Sequence, residues 1–305
     1  MSPAHFDPVP GAADAIAPGL RRVLAPNPSP MTFRGTNSYI LGEGRVAVID
    51  PGPDLPGHLE ALLAALAPGE SVSHIFVTHS HLDHSPLARP LAAATGAPVL
   101  AFGDSAAGRR GDLAALAGLG GGEGVDTGFS PDLRLSDGDT VEGAGWRLTA
   151  IHTPGHMGNH LCFAWETALF TGDHVMGWAS SMVSPPDGDL GAFMASLNRL
   201  AARPERVLYP GHGAPVPDGP ARIAELLAHR RAREAQILEA LAAGPATPAA
   251  IARAIYTDTP PALLPAATRN VLAHLIELTD KSLAAPVSEM AADSLWHRLP
   301  SAPAT

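Results

Sequence analysis

The sequence predicts an α/β layered domain followed by a small helical domain that ends in two short extended pieces. Three observations carry that expectation. From Leu20 to about Gly213, short apolar, β-branched segments alternate with Ala/Leu-rich helical patterns across Gly/Pro turns. The run PVPDGP at Pro215 to Pro220 then breaks the alternation. Beyond it come three helical patterns and a possible hairpin, the parts list of a winged helix. At 305 residues the chain also exceeds the usual single domain, so residues 1–220 are expected to form one domain and 221–305 a second.

The elements follow in order. Ser38 to Leu41 and Arg45 to Ile49 read as strands, His58 to Ala67 as a helix, and His74 to Val77 as the next strand. Pro86 to Thr95 reads as a helix, Val99 to Ala101 as a strand and Asp112 to Leu119 as a weaker helix. Gly118 to Ser130 is glycine-rich and acidic, with no regular apolar spacing, and reads as an exposed surface loop. Strands are expected at Trp146 to His152, His160 to Trp165, Ala168 to Thr171 and Arg206 to Tyr209, with a helix at Leu190 to Ala201. In the tail, Ala221 to Ala243, Pro248 to Tyr256 and Pro261 to Leu283 read as helices, before extended pieces at Ala285 to Met290 and Ser294 to Leu299.

Composition narrows the chemistry. Apolar residues make up 46% and charged residues 16%, enough apolar material for a large core. A net charge of -10 disfavours broad attraction to nucleic acid or to an anionic membrane. Cys162 is the only cysteine, so any metal must be held by imidazole and carboxylate rather than by thiolates. The opening MSPAHFDPVPGAAD lacks the basic and apolar segments of a secretory signal, and no stretch is long enough to span a bilayer. The cytoplasm is the expected location, with no membrane partner.

The strand ending in SHIFV runs into THSHLDH, which places His79, His81, Asp83 and His84 within six positions. His79 and His81 alternate and can face one side of an extended segment, while Asp83 and His84 begin a helical turn and are aimed elsewhere. Two neighbouring metal sites suit that pattern better than one. Further imidazole and carboxylate groups lie just past later strands, each beside a glycine: His156 in HTPGH, Asp173 in FTGDH and His212 in YPGHG.

THSHLDH resembles the HxHxDH motif of the metallo-β-lactamase superfamily, and TPGH, TGDH and PGHG follow in that superfamily's order. The resemblance implies an αββα sandwich with metals at one edge. It implies that His79, His81 and His156 hold a first metal, that Asp83, His84 and His212 hold a second, and that Asp173 bridges them. Two zinc ions are the implied cofactors, with iron or manganese as alternatives. A hydroxide between the metals would attack the substrate, with Asp83 as its orienter or proton acceptor. Asp50, in VIDPG, would support the metal-binding loop. Apart from the resemblance, His160 is expected to hydrogen-bond near the site or to contact substrate.

Departures narrow the branch. His81 stands where flavo-diiron proteins carry a glutamate, and Asp173 stands where secreted β-lactamases carry a cysteine. FRGTNSYILG, the run from Gly172 to Leu200, HRRAREAQIL and AATRNVLAHLIEL resemble the lactamase-β-like subfamily, whose members carry a C-terminal winged helix. That resemblance implies a hydrolase of ester, thioester, lactone or amide bonds, or else an endoribonuclease or phosphodiesterase acting on single-stranded RNA. An iron-dependent dioxygenase and a non-catalytic DNA-binding protein are the readings from other classes. His229 to Lys281 holds six Arg/Lys against five Asp/Glu, so the tail is expected to pack, to wall the site or to form a homodimer more than to read DNA.

Overall fold

The computed structural model describes residues 6–116 and 118–300. The first five residues, on which the reading of the N-terminus partly rests, lie outside the described residues, as does Ala117 in the expected helix Asp112 to Leu119. The chain builds β1 (Ala13–Ala17), β2 (Leu20–Leu24), β3 (Asn37–Leu41), β4 (Arg45–Ile49), α1 (Pro56–Ala64), β5 (Ser71–Phe76), α2 (Ala88–Thr95), β6 (Val99–Ala101), α3 (Gly111–Ala114) and β7 (Leu133–Arg134). Then follow β8 (Thr140–Gly143), β9 (Trp146–His152), β10 (Leu161–Trp165), β11 (Ala168–Gly172), α4 (Leu190–Ala201), β12 (Val207–Pro210), α5 (Gly219–Ala242), α6 (Pro248–Ile255), α7 (Leu264–Asp280), β13 (Ala284–Pro286) and β14 (Trp296–Arg298).

Strands β1 to β7 form one seven-stranded sheet in sequence order, and β12-β11-β10-β9-β8 form a second of five. The period of two along a strand sends alternate side chains to opposite faces, and each face has its own destination. Tyr39, Leu41, Ala47 and Ile49 point inward and pack against Trp146, Phe163 and Phe170 of the other sheet. Ile40, Val46 and Val48 point outward onto Leu62 of α1 and Leu91 of α2. Outside the second sheet, Cys162 and Leu169 pack on Phe193 and Leu197 of α4 and on Ile223 and Leu226 of α5. The layers are therefore helix, sheet, sheet, helix, as the resemblance implied.

The structure adds strands where no element was expected: β1, β2, β7 and β8. The first two carry charged residues on both faces, Arg21 bonding Glu70 and Arg22 bonding Asp14, which dilutes the apolar signal. Strands β7 and β8 are short and lie at sheet edges, β7 exposed and β8 half-exposed. The expected helix from Asp112 is a single turn. Gly118 to Ser130 is not a plain exposed connection, because Leu119, Val125 and Phe129 are buried.

The C-terminal helices pack around Trp296, with Ile237, Leu241, Ile251, Val271 and Leu275, under the short β13–β14 pair. Helix α5 serves both cores: its first half packs on the second sheet and its last turns on α6 and α7. Among the described residues, no helix is long and apolar enough to cross a membrane.

Candidate active site

The candidate ligands stand on loops that leave the strands at one edge of the sandwich. Thr78 to Ser85 follow β5, His156 sits between β9 and β10, Asp173 follows β11 and His212 follows β12. Asn37 and Tyr39 of β3 fasten the two sheets here, donating to the Pro210 carbonyl at 3.0 and 2.7 Å. Gly211 lets the strands approach this closely, since a Cβ there would lie 2.5 Å from Asp173 Oδ1.

The structure brings all seven expected donors together in two adjoining groups. His79, His81 and His156 form one; Asp83, His84, Asp173 and His212 form the other, and within each group the donor atoms lie within 4.8 Å of one another. His81 Nδ1 is 2.9 Å from His79 Nε2 and 3.0 Å from His156 Nε2. In the second group His212 Nε2 lies 3.1 Å from Asp83 Oδ2 and 3.3 Å from Asp173 Oδ2. Asp173 also faces the first group, 3.8 Å from His156 Nε2. His79, His84, His156, Asp173 and His212 are buried, whereas His81 and Asp83 are part-exposed.

The outward ring nitrogens fix the tautomers. His84 Nδ1 donates to Asp50 Oδ2 at 2.9 Å, His156 Nδ1 to the Met182 carbonyl at 2.6 Å and His212 Nδ1 to the Gly35 carbonyl at 3.1 Å. Thr78 Oγ1 donates to Asp50 and therefore accepts from His79 Nδ1 at 3.0 Å. Four Nε2 atoms are left pointing inward at one another, each with a lone pair when its ring is neutral. His81 Nδ1 has one proton at most, so it cannot satisfy both neighbours. Buried polar atoms are rarely left in that state, and Asp173 Oδ1 likewise has no hydrogen-bond partner. Imidazole nitrogens and carboxylate oxygens converging in this way are the donor set that divalent metals take. The residues present fit two such ions.

The protonation tendencies divide the groups in the same way. Burial, aided by neighbouring imidazoles, holds His79 and His81 below the ordinary histidine range, His81 at about 3. Burial also lowers His156, against the pull of Asp173. Burial pushes His212 down too, but the carboxylates of Asp173 and Asp83 outweigh it and lift the ring to about 9. The second group thus concentrates negative charge that a cation compensates.

Asp50 occupies the expected supporting place. Its Oδ1 accepts the Thr78 backbone N–H at 2.7 Å, and Oδ2 accepts Thr78 Oγ1 and His84 Nδ1. It holds φ at 49°, a left-handed conformation that Asp tolerates better than most residues. His160 lies beneath His79, ring centroids 5.2 Å apart, with Nδ1 2.9 Å from Thr153 Oγ1, and it stands outside both donor groups.

Several participants had no motif to mark them. The carbonyls of Met182 and Gly35 are backbone groups, which no side-chain pattern reveals. Asp126 accepts from Ser85 at 2.7 Å, its own N–H meets the Ser80 carbonyl, and the Leu82 N–H meets the Gly124 carbonyl. The glycine-rich loop thereby splints the segment that carries His81 and Asp83. Arg269 of α7 donates to Ser184 Oγ at 2.8 Å, to the Leu119 carbonyl at 2.7 Å and to the Pro185 carbonyl. Asn270 Oδ1 accepts from the Val183 N–H at 3.0 Å and from Arg230 at 3.1 Å. The C-terminal helices therefore grip both the loop beside the metal ligands and the segment bearing the Met182 carbonyl.

Comparison with known proteins bears on this geometry. Residues 31–212 match the model of the metallo-beta-lactamase superfamily, and residues 247–292 match the beta-lactamase associated winged helix domain. An atrochrysone carboxyl ACP thioesterase of Paecilomyces divaricatus is 36% identical over 247 residues, covering 78% of this chain and 69% of its own. A lactamase-like protein of Aspergillus niger is 33% identical over 236 residues, covering 75% of this chain and 65% of its own. A metallo-beta-lactamase family protein of Thermus thermophilus superposes with a TM-score of 0.74 at 27% identity, over 93% of this chain and 100% of that one.

Proposed function

The chain belongs to the metallo-beta-lactamase superfamily, and from that premise we propose that it is a dinuclear metal hydrolase of acyl bonds, thioesters foremost. The observation that carries the reading is the convergence of seven donors in two adjoining groups, with Asp173 facing both. Thioesters are placed first because the similarity to the thioesterase of Paecilomyces divaricatus spans most of this chain. Zinc is the proposed metal, because the donors are mainly imidazole.

Two bound divalent ions supply an acidified water and a Lewis acid for the acyl oxygen. The chain's own groups do the rest. Asp50 and the Met182 and Gly35 carbonyls hold the imidazoles in the tautomer that presents lone pairs inward. Asp83 is the part-exposed carboxylate of the donor set, so it is the group placed to orient the incoming water and to accept its proton. The buried floor under His79, His84 and Asp173 keeps bulk solvent from competing.

Incubation of zinc-loaded protein with acyl thioesters, lactones and labelled single-stranded RNA tests the proposal. Thioester hydrolysis that disappears in His79→Ala and Asp83→Ala is the expected result. RNA cleavage with intact thioester would move the reaction to phosphorus and sink the reading.

A further inference from the structure

Outside the two donor groups, a cavity of about 270 Å³ opens where α4, α5 and α7 meet. Arg230, Arg231 and Glu234 of α5 line it, together with His274 and Glu277 of α7 and Lys281 just beyond. Leu190 and Met194 of α4 supply its apolar side. Sites for drug-sized ligands begin at roughly 300 Å³, so a cavity of this size suits a small metabolite.

Three of the lining residues are short of partners. Arg230 is 2% exposed and pairs with no carboxylate among the described residues. It donates to Asn270 Oδ1 at 3.1 Å and to the Ser181 carbonyl, which leaves its buried Nε–H without an acceptor. The Phe193 ring, 5.1 Å from the guanidinium, offers a π-face and no counter-charge. Burial accordingly pulls Arg230 down to about 10. His274 is 1% exposed with no partner for either ring nitrogen, and burial beside Arg230 and Lys281 keeps it neutral. Glu277 gives Oε1 to Lys281 at 3.0 Å, while its buried Oε2 has no donor.

Buried polar atoms normally find partners, and buried charges normally find counter-charges. Water would hydrogen-bond these groups but would leave Arg230 uncompensated. A lone anion would meet the carboxylates of Glu234 and Glu277, and a lone cation would meet Arg230 and Arg231. A molecule carrying both charges satisfies both ends. We propose that this cavity binds a small zwitterion of the amino-acid class, its carboxylate against Arg230 and Arg231 and its ammonium against Glu277. The intervening carbons would lie on Leu190 and Met194. The proposal is independent of the acyl-hydrolase reading, since the metal donors are not among the lining residues.

Isothermal titration calorimetry of the zinc-loaded full-length protein tests it, with β-alanine, 4-aminobutyrate and 6-aminohexanoate as zwitterions and butyrate and butylammonium as their halves. At least one zwitterion is expected to bind about tenfold or more tightly than either half, and Glu277→Gln to remove that advantage. Arg231→Gln, at an exposed position, is expected to weaken the same zwitterion, and it carries the reading should Glu277→Gln melt early. His79→Ala, within the metal donors, is expected to leave the affinity unchanged. Butyrate binding as tightly as every zwitterion reduces the cavity to an anion site and overturns the proposal, as does no binding of any of the three. Affinity that survives Glu277→Gln but falls in His79→Ala assigns the ligand to the metals and overturns it as well.

Discussion

Asp50 is the residue on which both donor groups depend: it reaches His84 directly and His79 through Thr78. Asp50→Asn replaces one acceptor oxygen by a donor and leaves Thr78 or His84 facing the wrong partner. Zinc affinity, read by competition with a fluorescent chelator, is expected to fall roughly 10–100-fold, the range seen when such outer partners are lost. The residue was legible in VIDPG only through the family resemblance. His160, expected beside the site rather than among the donors, packs its ring under His79 and meets Thr153 Oγ1. Thr78 carried no signal, because a threonine at a strand end has many ordinary uses.

Helices and loops set how rigidly those residues are held. Helix α1 is fastened to β3 by His58, whose Nε2 lies 2.9 Å from Ser38 Oγ, and burial lowers its pKa from 6.5 to about 4. The folded value is below the unfolded one, so the contribution of the neutral ring is complete above pH 6.5 and is lost as pH falls toward 4. Compared in chelator, the urea-unfolding free energy of the wild type should fall about 3 kcal/mol more across that window than that of His58→Gln. Helix α7 acts at longer range through Arg269. Arg269→Met leaves the Leu119 and Pro185 carbonyls without their donor, and a loss of about 2–3 kcal/mol in unfolding free energy is expected. Slower thioester turnover at unchanged zinc content would accompany it. The strongly periodic helices α4 and α7 were readable to within a few residues. The edge strands β7 and β8 were not, because short strands this exposed need no apolar alternation.

For the whole molecule, the layers followed from alternation within strands, and the ligand loops followed from strand ends carrying His or Asp beside Gly. What the sequence withheld was the contact between distant segments, such as Asn270 with Val183 or Arg269 with Leu119. Metal binding should tie these parts together thermodynamically. Zinc at a hundredfold excess over its dissociation constant stabilises the native state by about 2.7 kcal/mol. Calorimetry is expected to show a lower melting temperature after EDTA treatment, restored by added zinc, and an unchanged melting temperature would argue against resident metal. Helix α5 runs unbroken from the second sheet's core into the tail, and the tail's α7 holds both flanks of the donor loops. A chimera that keeps every metal ligand but exchanges residues after Gly244 for a relative's would inherit a differently held entrance. Divergence in the tail is thus a route by which one catalytic kit can be refitted to new substrates, and it leaves no mark on the motif that names the kit.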